Sequence, residues 1–167
     1  GVEATAAAHA TLDVLDSAFL EGLSPSTYAA DDLRRRVEQL SGFTDPDLRT
    51  NAVRVVRDDT ELDLSGAVAL YALHLARGRV DPQQLRVEWF VEPGSVRLAA
   101  ILEAAAAHGV ERAVAPLHPS DVGYQRLRAT LAGYSRLAST GGWPEVRRRN
   151  HALAVAVLLG QRRQLQG

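Results

Sequence analysis

The stretch Leu62–Pro82 reads "LDLSGAVALYALHLARGRVDP" and carries the clearest helical pattern in the chain. Spacings of three and four residues place four of its side chains on one helix face: Val68, Tyr71, Ala72 and Leu75. Ser65 is the predicted N-cap, and Gly78 is predicted to end the helix in a left-handed turn. A helix with one apolar face must bury that face, so the stretch predicts a helix packed in a core.

Segments on the N-terminal side repeat this pattern. They predict a helix over about residues 4–20, a second helix ended by Gly42, and a third capped by Thr44 or Asp45 with Pro46 in its first turn. The three stripes are Leu12, Leu15, Phe19 and Leu23; Leu33, Val37 and Leu40; and Leu48, Ala52, Val55 and Val56. The run "VRVV" leaves a strand open as an alternative, because β-branched side chains crowd a helix, but helix is favoured.

Further helices are predicted on the C-terminal side. Asp81-Pro82 starts another turn of helix, "DPQQLRVEWF". An Ala-rich helix from about Ser95 to His108, closed by Gly109, buries Leu98, Leu102 and Ala105. "VERAVAPLHPSDVG" is predicted to be a short helix and a Pro-interrupted loop. The next helix has an apolar stripe of Tyr124, Leu127, Leu131, Tyr134 and Ala138, and a solvent face of Gln125, Arg126, Arg128 and Arg136. Alanine (27 residues) and leucine (23) dominate the composition, which favours helix. The predicted fold is all-α, an irregular bundle of six to eight helices around a single core.

The composition excludes several classes of function. The 167 residues include no Cys and no Met, and all 19 basic residues are Arg. Cys nucleophiles, Schiff-base lysines and phosphate-loop lysines are therefore absent. The net charge of −1 argues against a general nucleic-acid binder. No apolar run approaches the roughly 18 residues that a membrane span requires.

The polar residues form no recognisable catalytic or metal-binding motif. None of the five histidines (His9, His74, His108, His118 and His151) stands at metal-ligand spacing from another ligand. We expect His74 to be a partly buried helix residue. Acids cluster at Asp31-Asp32 and over Asp58, Asp59, Glu61 and Asp63. Acids at a helix start normally complement the helix dipole, and this interpretation is favoured over a glycosidase-like carboxylate pair. The arginine runs 34–36 and 147–149 are interpreted as solvated faces. We predict no catalytic, metal-binding or cofactor-binding residue.

The stretch Tyr124–Pro144, "YQRLRATLAGYSRLASTGGWP", ends its helix in an uncommon way. Gly141 is predicted to supply a positive-φ position and Gly142 a tight reversal. Trp143 can then fold back onto the helix, and Pro144 fixes an extended exit. This arrangement is typical of a junction between domains rather than of an active site.

These motifs resemble the helical scaffold domain of large bacterial L,D-transpeptidases, which remodel peptidoglycan. The Tyr124–Pro144 stretch is similar to the family signature in Tyr124, Leu127-Arg128, Tyr134 and the Gly-Gly-Trp-Pro of residues 141–144. The stretch Leu62–Pro82 is similar to a second family segment through Tyr71, Gly78, Asp81 and Pro82. A third, "LDVLDSAFLEGLSPSTY" at Leu12–Tyr28, is similar to an early helix that ends near Gly-Leu-x-Pro. "HPSDVGY", at residues 118–124, is longer than the family spacing.

The resemblance implies a non-catalytic scaffold domain over residues 1–146. Residues 147–167 would be a linker and the start of a peptidoglycan-binding-like module, which "AVAVLLGQRRQLQG" resembles. The catalytic Cys domain would follow outside this chain. The implied partners are those two domains of the same protein, with peptidoglycan or cell-wall synthesis proteins as further candidates, in the periplasm or cell envelope. Two alternatives stay open: a cell-wall hydrolase with a carboxylate pair, and a helical DNA-binding regulator.

Overall fold

The computed structural model describes residues 2–43, 47, 50–79 and 95–141, and within them all regular structure is helical. The predicted all-α class and helix number are confirmed. Short 3-10 helices lie at Ser17–Glu21, Pro25–Tyr28 and Ala115–Leu117. The α-helices of the described residues are α1 (Val2–Asp16), α2 (Ala30–Ser41), α3 (Asn51–Arg77), α4 (Leu98–His108), α5 (Val110–Val114) and α6 (Val122–Ser139).

The chain divides into two compact units, residues 1–128 and 129–167. The first unit contains α1 to α5 and the first two turns of α6. In the second unit the structure describes residues 129–141, which comprise the rest of α6 and the turn that follows it. The boundary predicted at residues 146 and 147 lies outside the described residues.

Helix α3 is central to the core of the first unit, since α1, α2 and α4 all pack against it. Its buried face is the predicted one, with Val68, Tyr71 and Ala72 buried and Leu75 partly buried against the core. Burial of such side chains stabilises a fold by roughly 1.5–3 kcal/mol each. The other core side chains are Leu12, Leu15, Ala18, Tyr28, Ala30, Leu33, Val37, Ala67, Val110 and Val114.

The start of α3 differs from the prediction. Ser65 is not an N-cap, because the helix runs unbroken from Asn51 and Ser65 lies in its middle, where its hydroxyl donates to the carbonyl of Glu61. The cap is Thr50, whose Oγ1 accepts from the Val53 N–H. The segment "VRVV" is helical, as favoured. The predicted cap at Thr44 or Asp45, Pro46 in the first turn and the stripe residue Leu48 lie outside the described residues.

Local turns account for further corrections. Helix α1 ends at Asp16 and not near Leu20, and the 3-10 turn that follows has a different period. Ala18 is therefore buried in place of the predicted Phe19, which is 41% exposed. Gly42 does end α2, but with a φ of −80° rather than in the left-handed region. Gly78 ends α3 with a positive φ of 76°, but its ψ of 172° lies outside the left-handed helical region, so the predicted left-handed turn is wrong.

Candidate functional site

A buried carboxylate organises the polar interior of the first unit. Glu21 is the last residue of the 3-10 helix after α1, and its side chain is only 2% exposed. It accepts a short hydrogen bond from the Tyr124 phenol and another, of 2.5 Å, from Nε of Arg128. Nδ1 of His118 lies 3.4 Å from Oε1 of the same carboxylate. We call these four residues the Glu21 cluster. Such close partners offset the large cost of removing a carboxylate from water.

Local sequence at the start of α6 places two members of the cluster. The Asp121 carboxylate accepts from the backbone N–H of Tyr124 at 3.0 Å and so acts as an N-cap. Gly123 leaves room for this cap, because a Cβ there would lie 2.9 Å from Oδ1 of Asp121. Tyr124 and Arg128 are four residues apart and share one helix face, so both reach the same carboxylate.

The pKa values of Glu21 and Tyr124 are shifted away from neutral pH, which does not favour proton transfer between them. Burial disfavours the charge of Glu21, but hydrogen bonds from Tyr124 and Arg128 and the charges of His118 and Arg128 outweigh it and lower its pKa. Burial, followed by the hydrogen bond to Glu21, raises the pKa of Tyr124 to about 12. Near neutral pH the carboxylate is ionised and the phenol is protonated, so neither changes state readily.

A second buried contact joins the end of the early helical segment to α3. The Tyr28 hydroxyl and Nδ1 of His74 lie 2.9 Å apart, and the Tyr28 and Tyr71 rings meet edge to face with centroids 5.4 Å apart. Burial raises the pKa of Tyr28, and burial followed by the charge of Arg79 lowers that of His74. Both partners are therefore neutral near pH 7. The interpretation of His74 as a partly buried helix residue is confirmed.

A cleft of about 580 Å³ opens beside the Glu21 cluster within the first unit. Arg128 and His118 belong both to the cluster and to the wall of the cleft. The remaining lining residues are Ala10, Asp13, Val14, Ser17, Tyr71, Glu111, Val114, Ala115 and Gln125. The volume falls in the range of about 300–1,000 Å³ that is typical of small-molecule sites, so this cleft is the candidate binding site.

Comparison with protein families assigns the chain to a family. Residues 2–131 match the family model described as "Scaffold domain", which covers more than three quarters of the sequence. The chain belongs to the scaffold domain family. No curated protein matches the chain, and no solved structure matches it either. The coarse prediction of a scaffold domain is thus confirmed.

Three of the predicted motif residues lie at the Glu21 cluster or in the core of the scaffold domain. Tyr124 and Arg128 meet at Glu21, and Tyr71 is buried in the core while also lining the cleft. Arg128 was expected on the solvent face; its side chain is 39% exposed, but its Nε donates to the buried Glu21. Leu127 is 71% exposed, so its expected membership of a packed stripe is wrong.

The other motif residues of the scaffold domain do not join this site. Gly78 and Gly141 follow the ends of α3 and α6, both with positive φ, and Gly141 has a φ of 110°. Tyr134 lies in the second unit and is 56% exposed. Asp81, Pro82, Gly142, Trp143 and Pro144 lie outside the described residues, so the indole packing predicted for Trp143 stays a prediction.

Sequence reasoning missed Glu21 and the involvement of His118. Glu21 is a single acid before a helix-ending glycine, and its partner Arg128 lies 107 residues away. Its local pattern is that of an ordinary surface residue. The available signal was its position inside the Leu12–Tyr28 motif, which carries the family resemblance.

The acids that the sequence singled out on α3 lie on the surface, whereas Arg34 and Arg36 of the predicted solvated run are partly buried. Asp58, Asp59, Glu61 and Asp63 are exposed on one helix, α3, and do not face each other across a cleft. Three of them form ion pairs: Asp58 and Glu61 with Arg57, and Asp63 with Arg36. Arg34 pairs with Asp13 and Asp16, while arginines 147–149 lie outside the described residues.

The described residues contain no group of His, Cys, Asp or Glu side chains able to hold a metal ion. Among these same residues no helix is both long and apolar enough to cross a membrane.

Proposed function

We propose that this chain is the non-catalytic scaffold domain of a periplasmic L,D-transpeptidase and that it positions the catalytic domain that acts on peptidoglycan. Membership of the scaffold domain family supports the non-catalytic role. The ordered motifs that resemble the L,D-transpeptidase scaffold support the parent enzyme. Recruitment of cell-wall synthesis partners belongs to the same proposal.

The observation that carries the proposal is how the motif residues are used. Glu21 and Tyr28 belong to the motif Leu12–Tyr28. Tyr71 and His74 belong to the motif Leu62–Pro82, and Tyr124 and Arg128 to the motif Tyr124–Pro144. Contacts inside the first unit link the three motifs: Tyr124 and Arg128 with Glu21, and Tyr71 and His74 with Tyr28. The polar groups of the three motifs bond to one another within the first unit. Residues used in this way stabilise a fold, as a scaffold requires.

Two measurements test the proposal. The coding sequence downstream of residue 167 should contain the Ser-x-Gly-Cys stretch of the catalytic domain. In an acyl-transfer assay on muropeptides, the full-length protein should turn over and this chain alone should not. Turnover by the chain alone, or a full-length protein that lacks such a Cys, would contradict the proposal.

A variant of the full-length protein tests the positioning role. Glu21→Ala should weaken the scaffold domain and lower the acyl-transfer rate, although Glu21 belongs to no catalytic domain. Glu103→Gln replaces an exposed acid of α4 outside the Glu21 cluster and is the control, with an unchanged rate expected. If Glu21→Ala lowers the melting temperature but leaves the acyl-transfer rate equal to that of the parent protein, catalysis does not depend on the stability of this domain, and the positioning role is wrong.

A further inference from the structure

We propose that the cleft beside the Glu21 cluster binds a small zwitterion, a free amino acid or short peptide, with its carboxylate at Arg128 and its ammonium group at Glu111. This proposal stands independently of the parent enzyme's identity. It rests on the cleft's volume, on its mixed lining and on the buried Glu21 carboxylate that orients Arg128.

The lining combines an apolar surface with a few charged groups. Val14, Val114 and the ring of Tyr71 supply apolar area, while Arg128 and Glu111 supply charges of opposite sign. Sites for small molecules are built in this way, because apolar contact gives affinity and sparse polar groups fix orientation. All these residues belong to the first unit.

Arg128 is held in place by a residue that does not line the cleft. Glu21 accepts from Nε, which is one of five N–H donors on a guanidinium. The Arg128 side chain is 39% exposed and lines the cleft, so its guanidinium is accessible from that side. A cation fixed by a buried carboxylate has little conformational freedom left to lose when an anionic group binds. A ligand carboxylate can be bound there in the planar geometry that arginine favours.

The acidic lining selects against a simple anion. Asp13 and Glu111 both line the cleft, and Glu21 lies behind Arg128, so the surroundings of the cation are net acidic. Asp13 is already paired with Arg34 at 3.1 Å, whereas Glu111 has no ion pair among the described residues. Glu111 is therefore the acceptor for an ammonium group. A ligand that carries both charges fits this lining better than a lone anion or a lone cation.

A titration monitored by NMR chemical shifts tests the proposal. The chain is titrated with alanine and with di-, tri- and tetra-alanine. At least one free-termini compound should bind saturably and shift the Gln125 and Ala115 amide signals, which belong to cleft residues. N-acetylation or C-amidation of that compound should weaken binding by about tenfold, as expected when a charged contact is lost. Absence of saturable binding for the whole series, or equal binding of the blocked forms, would overturn the proposal.

Variants of Glu111 and Arg128 test which residue contacts each end of the ligand. Glu111→Gln should weaken the free compound about tenfold and leave the N-acetylated form unchanged, while the control Glu103→Gln should alter neither. Arg128→Gln should remove the preference for the free carboxylate over the amide. Because Arg128 also supports Glu21, its melting curve is recorded alongside, and Glu111→Gln keeps the test valid if Arg128→Gln unfolds. Unchanged affinity in Glu111→Gln would overturn the assignment.

Discussion

Two sets of acidic residues in this scaffold domain differ in how readily the sequence reveals them and in how exposed their side chains are. The run on α3 (Asp58, Asp59, Glu61 and Asp63) is conspicuous in the sequence and exposed in the structure, and three of its members pair with Arg36 or Arg57. Glu21 is inconspicuous in the sequence, but its side chain is almost fully buried and is held by Tyr124 and Arg128. The number of acids in a stretch therefore says little about what each carboxylate does.

The difference follows from the dielectric surroundings. In water, a charge pair a few ångströms apart gains about 1 kcal/mol or less and is screened by salt. A buried carboxylate interacts more strongly with its partners, yet its desolvation cost means that losing one partner is expensive. Variants of the two sets should therefore differ several-fold in their effect on stability, and the following experiments measure that difference.

The largest effect is expected for Glu21→Ala. This change removes the hydrogen bonds from Tyr124 and Arg128 together, and each hydrogen bond to a charged group contributes about 1.5–3 kcal/mol. Urea unfolding followed by circular dichroism should show a midpoint well below that of the parent chain. A midpoint within error of the parent would mean that Glu21 is solvated and that the proposed contrast is wrong.

Tyr124→Phe should have the next largest effect. It removes the phenol that donates to Glu21 but keeps the ring, and hydrogen bonds to charged groups contribute about 1.5–3 kcal/mol. The same urea experiment measures this loss. Glu103→Gln, a change at an exposed residue of α4, is the control, and a similar loss in both variants would argue against a special role for Glu21.

Acid should destabilise the parent chain more than a Glu21→Gln variant. The pKa of Glu21 is lower in the folded chain than its ordinary value of 4.5, so its contribution is present above pH 4.5 and is lost as pH falls through the folded-state pKa. Glutamine cannot titrate. The stability gap between the two proteins should therefore narrow as pH falls from 7 to 3, measured by thermal melts. A constant gap would show that the pKa of Glu21 is not lowered by folding.

The smallest effect is expected on the exposed run. Glu61→Ala removes an acid that lies 3.7 Å from Arg57, and exposed pairs of this kind contribute about 0.3–0.5 kcal/mol. The change in urea midpoint should be close to the error of the measurement. A loss comparable to that of Glu21→Ala would remove the distinction between the two sets of acids.

The sequence by itself determined the helical class and the face of α3 that is buried. Val68, Tyr71 and Ala72 recur at helical spacing, and that information is local because each turn of helix involves only four neighbouring residues. Helix boundaries were less well determined: Ser65 looked like a cap, yet the helix continues through it because neither Pro nor a cap geometry interrupts it.

Only the tertiary structure decided which polar residues form a site. Arg128 looked like a solvent-facing residue of α6, and Glu21 like a surface acid at the end of a turn. Their contact joins positions 107 residues apart, and no local periodicity encodes it. It joins the segment after α1, a helix that packs against α3 and α5, to the start of α6. That meeting depends on many side-chain contacts acting together, whereas the helical pattern depends on neighbours along the chain.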